Sequence, residues 1–498
     1  MRYSLILLAA TLLAQTPAPA PAKPEPPKFG LPAAPVVKEH TLAAGLKYKS
    51  TTGFMALKND AGDHEANLFF VAYTAGSEPK QKRPVTFCFN GGPGAGSVWL
   101  HLGAIGPKRV PMRDDGTMPP PPYIVADNPD SWLDRSDLVF IDPVGTGYSR
   151  AKSPDTAKKF YSLNGDIASV GNFIRQWLTE NDRWGSPLFV AGESYGTTRA
   201  AGLTNHLADK GINLNGVFLI STILNFQTAR FARGNDLPYA LFLPTYTAIA
   251  HYHKKLPPDL QSSLEKAVAE SRKYAAGEYQ TVLYKGDSLG ADERKKAVAQ
   301  LARLTGLNPQ FIERSDLRIE IMRFCKELLR EKGLTVGRLD GRLTGAGEGN
   351  ASAETPEFDP ALTAIRGPYT AAMNQYARET LGFETDLEYY SLGSLSSQWD
   401  FEVTTGPFRQ GFADTSTALR SAMAKNPYMK VFVASGYYDL ATPFEAAYYT
   451  VNHMDLDPRL RANIHFAEYE SGHMMYIHVP SLKKLKKDAD SFYTASRP

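Results

Sequence analysis

The sequence predicts an α/β protein in which helices cover both faces of a mainly parallel central sheet. Three observations support this prediction. Short apolar runs with strand composition recur along the chain and alternate with segments of helical composition. Between residues 166 and 178 apolar residues recur at helical spacing, and this segment leads directly into one of the strands. Glycine-rich turns follow several strands, at the sheet edge where such folds carry their active sites.

The predicted strands fall into two groups that are separated by a long helical stretch. The strand-like runs are 68–73, 85–89, 138–141, 188–191, 217–220, 431–434 and 464–466. Helical patterns dominate the stretch between the fifth and sixth runs, as at 239–255, 260–274, 292–304 and 316–331. We therefore expect a core in two parts, residues 37–224 and 425–498, with a largely helical cap insertion at 225–424.

The composition is that of a globular protein with a large core. The chain has 498 residues, of which 43% are hydrophobic and 21% charged, and its formal net charge is +3. Neither the acidic nor the basic residues form long blocks, so the charge indicates a solvated surface and argues against a nucleic-acid partner. The length is enough for two or three domains, and the sequence does not specify an oligomeric state.

The N-terminus has the pattern of a secretory signal. Arg2 precedes an apolar stretch at 5–13, which is too short for a stable membrane span, since a span needs about 20 apolar residues. We expect a signal peptide at 1–14 and a Pro/Ala-rich tether at 15–36. The predicted location is therefore outside the cytoplasm, either periplasmic or secreted.

The two cysteines and the histidines give no indication of a metal or another cofactor. Cys88 lies inside an apolar run, and buried free thiols are the commoner state for such positions, although export would permit a disulfide to Cys325. The chain lacks the Cys/His spacing of structural zinc and the H-E-x-x-H motif. We expect no metal and no cofactor.

The most informative motif is the segment 192–196, Gly-Glu-Ser-Tyr-Gly, which follows the strand-like run 187–191. The pattern G-x-S-x-G between a strand and a helix is typical of a nucleophile elbow. Its sharp turn exposes the serine hydroxyl, and its glycines let the strand and the helix approach each other. Ser194 is therefore the candidate nucleophile.

A serine hydroxyl needs a base to take its proton and a third group to orient that base. In this class of fold the order along the chain is Ser, then Asp or Glu, then His. Asp439 follows the late strand-like run and its turn, with Asp455 and Asp457 as alternatives. Of the ten histidines only His473 combines a preceding late strand with a turn glycine. We predict a triad of Ser194, Asp439 and His473.

The oxyanion of the reaction needs two fixed N–H donors. The backbone N–H of Tyr195, which follows the nucleophile, is one candidate. The other is expected from the glycine-rich turn 90–97, which follows an early strand. A phosphate-binding loop is a rival interpretation of this turn, but the P-loop lysine is missing. A simple tight turn is the other alternative.

Five motifs together resemble those of the serine carboxypeptidases. They are N-G-G-P-G at 90–94, D-P-V-G-T-G-Y-S at 142–149, G-E-S-Y-G at 192–196, Ser435-Gly436 with Asp439, and Gly472-His473. The resemblance covers about residues 65–480. It implies an α/β-hydrolase fold with a helical insertion and the removal of C-terminal residues from peptides that have a free C-terminus.

The resemblance also implies a role for each matching residue. Ser194 would be the nucleophile, His473 the base and Asp439 its orienting group. The oxyanion hole would consist of the N–H groups of Gly92 and Tyr195. Three residues would hold the carboxylate of the substrate: Asn90, Gly91 through its N–H, and Glu193.

The carboxylate set also makes physical sense from the residues themselves. An Asn amide and a glycine N–H are donors, whereas Glu193 donates only when it is protonated. Burial and the charge of the substrate would both raise its pKa, so binding would favour mildly acidic pH, while His473 must be neutral to act as a base. The alternative is that Glu193 is only the variable residue of the elbow.

The chain also departs from the pattern of the family. Relatives carry a second glutamate before a Gly-Pro pair, where this chain has Ala104, and this weakens the case for a strongly acidic optimum. Ala95 and Tyr437 stand where relatives have a cysteine and an aspartate. Two other functions remain as alternatives: an acyltransferase or esterase that uses the same triad, and a catalytically silent binding protein on the same scaffold.

Overall fold

The computed structural model describes residues 30–76, 82–347, 352–402 and 411–497. The predicted signal peptide at 1–14 and most of the tether lie outside these residues. Among the residues that are described, no helix has both the length and the apolar character needed to cross a bilayer. Residues from Pro32 onwards form one compact unit.

Fourteen strands are found in the described ranges. They are β1 (Val36–Thr41), β2 (Lys47–Lys58), β3 (His64–Ala75), β4 (Val85–Phe89), β5 (Lys108–Arg109), β6 (Ala126–Asp127), β7 (Asp137–Ile141), β8 (Arg150–Ala151), β9 (Leu188–Glu193), β10 (Gly216–Ile220), β11 (Leu334–Val336), β12 (Thr344–Ala346), β13 (Lys430–Gly436) and β14 (Ile464–Tyr469).

The α-helices of the same ranges are concentrated between β10 and β13. They are α1 (Val98–Leu100), α2 (Pro154–Ala157), α3 (Leu163–Glu180), α4 (Tyr195–Asp209), α5 (Leu237–Tyr252), α6 (Pro258–Gln261), α7 (Leu264–Ala276), α8 (Glu278–Lys285), α9 (Ala291–Thr305), α10 (Pro309–Arg314), α11 (Ile321–Glu327), α12 (Pro360–Gln375), α13 (Ser416–Lys425), α14 (Phe444–Asn452), α15 (Pro458–Arg461) and α16 (Val479–Ala495).

A ten-stranded sheet organises the molecule. Its order is β1-β2-β3-β7-β4-β9-β10-β13-β14, with β8 paired to β3. From β7 to β14 every neighbouring pair is parallel, whereas β1, β2, β3 and β7 pair antiparallel. Each predicted strand lies within an observed one. The structure has the α/β-hydrolase fold, with a mostly parallel sheet between helices, and the predicted fold class is confirmed.

Two strands at the antiparallel edge were not predicted. The strand β2 alternates buried and exposed residues along much of its length, and its inward positions include Ser50 and Thr52. Its period of two is therefore masked by polar residues on the buried face. The neighbouring β1 is largely exposed and pairs only with β2. Apolar runs detect strands that are buried on both faces, and such edge strands escape them.

The helical stretch has its own apolar cluster, which α5, α7, α9 and α11 share. One helix predicted in this stretch begins at the wrong residue. The pattern at 316–331 predicts one helix, but α11 begins only at Ile321, because the Glu320 side chain accepts the N–H groups of Met322 (2.8 Å) and Arg323 (3.2 Å) and caps it. Asp316 and Leu317 have positive φ and cannot continue a helix.

A buried ion-pair network joins the amino ends of the parallel strands. Asp137, the first residue of β7, accepts hydrogen bonds from Arg83 Nε (2.6 Å) and Arg183 Nη1 (2.5 Å). All three side chains are buried. Arg183 also donates to the carbonyl of Arg83 at 2.7 Å. The network thus links the segments that precede β4 and β9 to the first residue of β7. In the sheet, β7 and β9 lie on either side of β4.

We predict that Asp137→Asn destabilises the fold strongly, because two buried guanidinium groups lose their only shared carboxylate. Removing one partner of a buried ion pair typically costs about 3–5 kcal/mol. The measurement is the free energy of unfolding in urea. Lys158→Gln, which breaks the exposed pair with Asp155, is the matched control and should leave stability nearly unchanged. Equal stability of Asp137→Asn and the wild type would contradict this role of the network.

Candidate active site

The predicted nucleophile elbow lies between β9 and α4. Ser194 has φ 59° and ψ −131°, a strained backbone for a residue with a side chain. Gly192 and Gly196 make the turn sterically feasible, since a Cβ on Gly192 would lie 2.1 Å from the carbonyl oxygen of Gly196. Ser194 is partly exposed although its neighbours on both sides are buried. The turn therefore presents the hydroxyl to a cavity, as the sequence predicts.

The glycine-rich turn after β4 packs directly on this elbow. A Cβ on Gly91 would lie 2.5 Å from the backbone nitrogen of Tyr195, so only glycine allows this approach. Gly92 has φ 101°, a conformation that favours glycine. Tyr195 is the first residue of α4, and its N–H has no acceptor within the helix. The structure thus places Gly92 and Tyr195 together beside Ser194, and their role as oxyanion donors stays a prediction.

The acid and the imidazole of the predicted triad are hydrogen bonded. His473 Nδ1 lies 2.7 Å from Asp439 Oδ2, and both side chains are buried. The other oxygen of Asp439 accepts the N–H groups of Ala441 (2.7 Å) and Thr442 (3.0 Å). Burial opposes protonation of His473, but the charge of Asp439 and its hydrogen bond outweigh burial, so the pKa of His473 is raised above its usual value.

Ser194 and His473 line the same cavity, which has a volume of about 540 Å³. In the described ranges no hydrogen bond joins the Ser194 hydroxyl to the imidazole. Such bonds are often long in unliganded active sites and tighten when substrate binds. The alternatives Asp455 and Asp457 lie at the surface, where they pair with Arg420 and Arg459 instead.

The three residues predicted to hold a carboxylate come together in this cavity. Asn90, Gly91 and Glu193 all line it. Asn90 Oδ1 accepts the N–H of Leu100 at 3.0 Å, whereas the buried Asn90 Nδ2 makes no hydrogen bond of good geometry in the described ranges. Glu193 is 3% exposed, and the Asn90 amide lies close enough to help lower its pKa. The set therefore offers a buried amide donor next to a buried carboxyl.

The protonation of Glu193 is finely balanced. Burial raises its pKa to about 7, against the lowering effects of the charge on His473 and of the hydrogen bond from Tyr476. The Tyr476 hydroxyl donates to Glu193 Oε2 at 2.5 Å. Near neutral pH the carboxyl is consequently present in both forms, and only the protonated form donates a hydrogen bond.

Tyr476 is a site residue that the sequence did not reveal. Ala104 is buried in a one-turn π-helix, His101–Ile105, and brings no second carboxyl to Glu193. The Tyr476 ring instead packs against the same turn, since a Cβ on Gly103 would lie 2.4 Å from it. The partner of Glu193 is therefore a phenol. No motif marks Tyr476; its closeness to His473 in the chain was the only available signal.

The loop that carries His473 is anchored by two other parts of the chain. Ser221, which follows β10, donates from Oγ to the His473 carbonyl at 2.6 Å. The His473 N–H donates to the carbonyl of Leu339 at 2.6 Å. Asp340 accepts the N–H of Gly472 at 3.1 Å and pairs with Arg342 at 2.7 Å, in a buried contact. Backbone and buried polar contacts thus hold the imidazole from both sides.

A buried ion pair between Arg199 and Asp166 also supports the elbow. Arg199 on α4 donates from Nε to Asp166 at 2.7 Å and from Nη1 to the Asn90 carbonyl at 2.6 Å. The Tyr195 hydroxyl donates to the same Asp166 oxygen at 3.2 Å. One guanidinium therefore links α3, the elbow helix and the glycine-rich turn. Neither Arg199 nor Asp166 was singled out by the sequence, because an isolated arginine on a helix carries no pattern.

Comparisons with known proteins agree with this architecture. Residues 40–464 match the serine carboxypeptidase family. The chain is 28% identical over 187 residues to serine carboxypeptidase-like 36 of Arabidopsis thaliana, covering 36% of this chain and 35% of that protein. It is 29% identical over 161 residues to a carboxypeptidase Y homolog of Arthroderma benhamiae, covering 31% of this chain and 29% of that protein. The aligned parts thus span about a third of the length of these relatives.

Among solved structures, proline iminopeptidase of Mycobacterium smegmatis is similar over 90% of this chain and 98% of that one, at 12% identity and a TM-score of 0.36. The family match, by contrast, spans most of the sequence and includes every predicted site residue except His473, which lies just beyond its end. The chain belongs to the serine carboxypeptidase family.

Proposed function

We propose that this protein is an exported serine carboxypeptidase that hydrolyses the last peptide bond of its substrates through an acyl-enzyme. The observation that carries the proposal is the buried set that lines the cavity of Ser194, where the Asn90 amide lies beside Glu193 and burial raises the pKa of Glu193 to about 7. A donor set of this kind suits a carboxylate, and a C-terminal residue presents one next to the scissile bond. The N-terminal pattern at 1–14 supports export.

In the acylation step, His473 Nε2 takes the proton of the Ser194 hydroxyl while Oγ bonds to the scissile carbonyl carbon. The carbonyl oxygen becomes negative and accepts hydrogen bonds from the N–H groups of Gly92 and Tyr195. The carbon–nitrogen bond then breaks, and the proton on His473 passes to the leaving amine. Asp439 stabilises the transient imidazolium, in line with the raised pKa of His473.

In the deacylation step, a water molecule attacks the ester and gives a proton to His473. The bond between the acyl carbon and Ser194 Oγ breaks, and Oγ recovers its proton from His473. The products are a peptide shortened by one residue and a free amino acid. Protonated Glu193 and the Asn90 amide bind the substrate carboxylate before the first step.

The helical insertion at 225–424 is part of this proposal, as the roof of the cavity. Support comes from Leu339, Leu362 and Ile365, which line the cavity from that stretch. These apolar residues would contact the side chains that flank the scissile bond.

We predict that Ser194→Ala removes turnover of N-blocked dipeptides, with a loss of at least about 10⁴-fold in kcat/KM. The free energy of unfolding should change little, because the hydroxyl is not part of the core. Ser262→Ala, at an exposed position of the insertion, is the control. Labelling of the wild type but not of Ser194→Ala by a fluorophosphonate adds a second measurement. Retained turnover in Ser194→Ala would refute the assignment of Ser194 as the nucleophile.

We predict a bell-shaped dependence of kcat/KM on pH for blocked dipeptides. The acidic limb reflects His473, which must lose its proton to act as a base. The alkaline limb reflects Glu193, which loses its proton above about pH 7 and then repels the substrate carboxylate. Glu193→Gln donates at every pH, so its alkaline limb should disappear. Its acidic limb should remain and move to lower pH, because glutamine lacks the charge that helps to raise the pKa of His473. An unchanged profile would exclude Glu193 as a carboxylate ligand.

Tyr476→Phe should move the alkaline limb in a defined direction. The phenol hydrogen bond favours the ionised carboxyl, so its removal raises the pKa of Glu193 further. The limb should therefore shift to higher pH, and the acidic limb should stay in place. The measurement is kcat/KM from pH 5 to about pH 9, with Tyr284→Phe, a fully exposed tyrosine, as the control. A shift to lower pH would contradict the assignment.

Peptide, amide and ester substrates separate this proposal from the alternatives. A carboxypeptidase should hydrolyse a blocked dipeptide much faster than its C-terminal amide, since only the former has the carboxylate. Faster turnover of simple esters, or transfer of the acyl group to an alcohol in place of water, would favour an esterase or an acyltransferase.

A further inference from the structure

Two arginines face the catalytic cavity. Arg230 follows the 3₁₀ turn Phe226–Ala229 after β10, and Arg338 follows β11 in the helical insertion. Both line the cavity of about 540 Å³ that contains Ser194 and His473. The two residues follow different elements, so two separate segments of the chain contribute positive charge to the cavity.

Neither guanidinium has a hydrogen bond or an ion pair within the described ranges. Several other arginines of the insertion are paired: Arg272 with Glu445, Arg303 with Asp259 and Arg318 with Asp236. The exposed Arg233, Arg314 and Arg366 also lack a charged partner in these ranges, but they do not line the cavity. The two cavity arginines are therefore distinguished by their place in the cavity of Ser194 and His473.

The Asp359 carboxylate lines the cavity but does not serve as a counter-charge for the two arginines. Its oxygens accept the N–H groups of Arg338 (3.1 Å), Leu339 (3.2 Å) and Ala361 (3.0 Å), and it caps α12. It forms no ion pair with Arg338 or Arg230 in these ranges. Burial and the charge of Arg338 both lower the pKa of Arg230, so the two like charges oppose each other.

The strand order locates Arg230 relative to the reacting bond. In the sheet, β9 lies between β4 and β10. Asn90 follows β4 and Arg230 follows the turn after β10, so the strand order favours a placement of the two on opposite sides of Ser194. With the substrate carboxylate beside Asn90, the acyl part of the peptide lies towards Arg230. The rings of Phe226 and Phe401 support the guanidinium, with centroids 5.4 and 5.7 Å from its carbon.

We infer that the acyl side of the cavity is a subsite for an anionic side chain, so that the enzyme prefers peptides with glutamate or aspartate immediately before the released residue. The inference rests on the proposed function and names its substrate class. A carboxylate between Arg230 and Arg338 would neutralise two charges that the protein leaves without partners, and planar guanidinium groups suit carboxylates.

The test compares N-blocked Glu-Phe, Gln-Phe and Lys-Phe at one pH near 7 and low salt. We expect kcat/KM to be about five- to tenfold higher for Glu-Phe than for Gln-Phe, and lower for Lys-Phe. In the double variant Arg230→Gln, Arg338→Gln the ratio of Glu-Phe to Gln-Phe should fall to about one. Arg233→Gln, an arginine of the same loop that does not line the cavity, is the control and should keep the wild-type ratio. Salt should reduce the ratio in the wild type.

The outcomes separate this inference from the proposed function. Cleavage of Gln-Phe with no advantage for Glu-Phe overturns the inference and leaves the carboxypeptidase assignment standing. Failure to cleave any of the three, by enzyme that a fluorophosphonate labels at Ser194, overturns the proposed function itself. A preference for glutamate as the released residue, measured with Phe-Glu against Phe-Gln, overturns the placement on the acyl side.

Discussion

The site depends on the close backbone contact between two turns, one after β4 and one after β9. A side chain at Gly91 would force these turns apart, since an added Cβ would lie 2.5 Å from the backbone nitrogen of Tyr195. A side chain at Gly192 would distort the second turn itself, since its Cβ would lie 2.1 Å from the carbonyl oxygen of Gly196. The contact brings Asn90, Gly92, Glu193 and Ser194 within one cavity although they come from separate strands. Arg199, which binds the Asn90 carbonyl from below, then fixes the spacing with a charge-assisted hydrogen bond.

On this rigid base, burial dominates the pKa of Glu193, whereas at His473 the charge of Asp439 outweighs burial. Glu193 and His473 are both buried, and each affects the protonation of the other. A phenol beside Glu193, in place of a second carboxyl, leaves a single titrating acid there. The carboxyl is consequently balanced near neutral pH, where a neutral imidazole can also act as a base. Replacement of the phenol therefore changes the pH range of activity and leaves the reaction itself unchanged.

The sequence was informative where function constrains the backbone. The elbow, the glycine-rich turn and the Gly-His pair each need residue types that are rare by chance in that order, and each parallel strand is an apolar run. The residues that could not be predicted from the sequence are those whose role depends on contacts between distant parts of the chain. They are Tyr476, Arg199, Asp166 and the Asp340–Arg342 pair. Their hydrogen-bond partners lie 29 to 283 positions away, apart from Asp340 and Arg342 themselves. Edge strands β1 and β2 were missed because polar residues interrupt their pattern.

The anchoring of the His473 loop by Asp340 and Leu339 has a consequence for how this protein can be altered. These two residues lie in the stretch proposed as an insertion, yet they hold the backbone that bears the imidazole of His473. The insertion is therefore no independent specificity module. Exchange of this segment with that of a relative would disturb the base as well as the substrate pockets, unless the Asp-Gly-Arg turn at 340–342 travels unchanged with its glycine partner at 472.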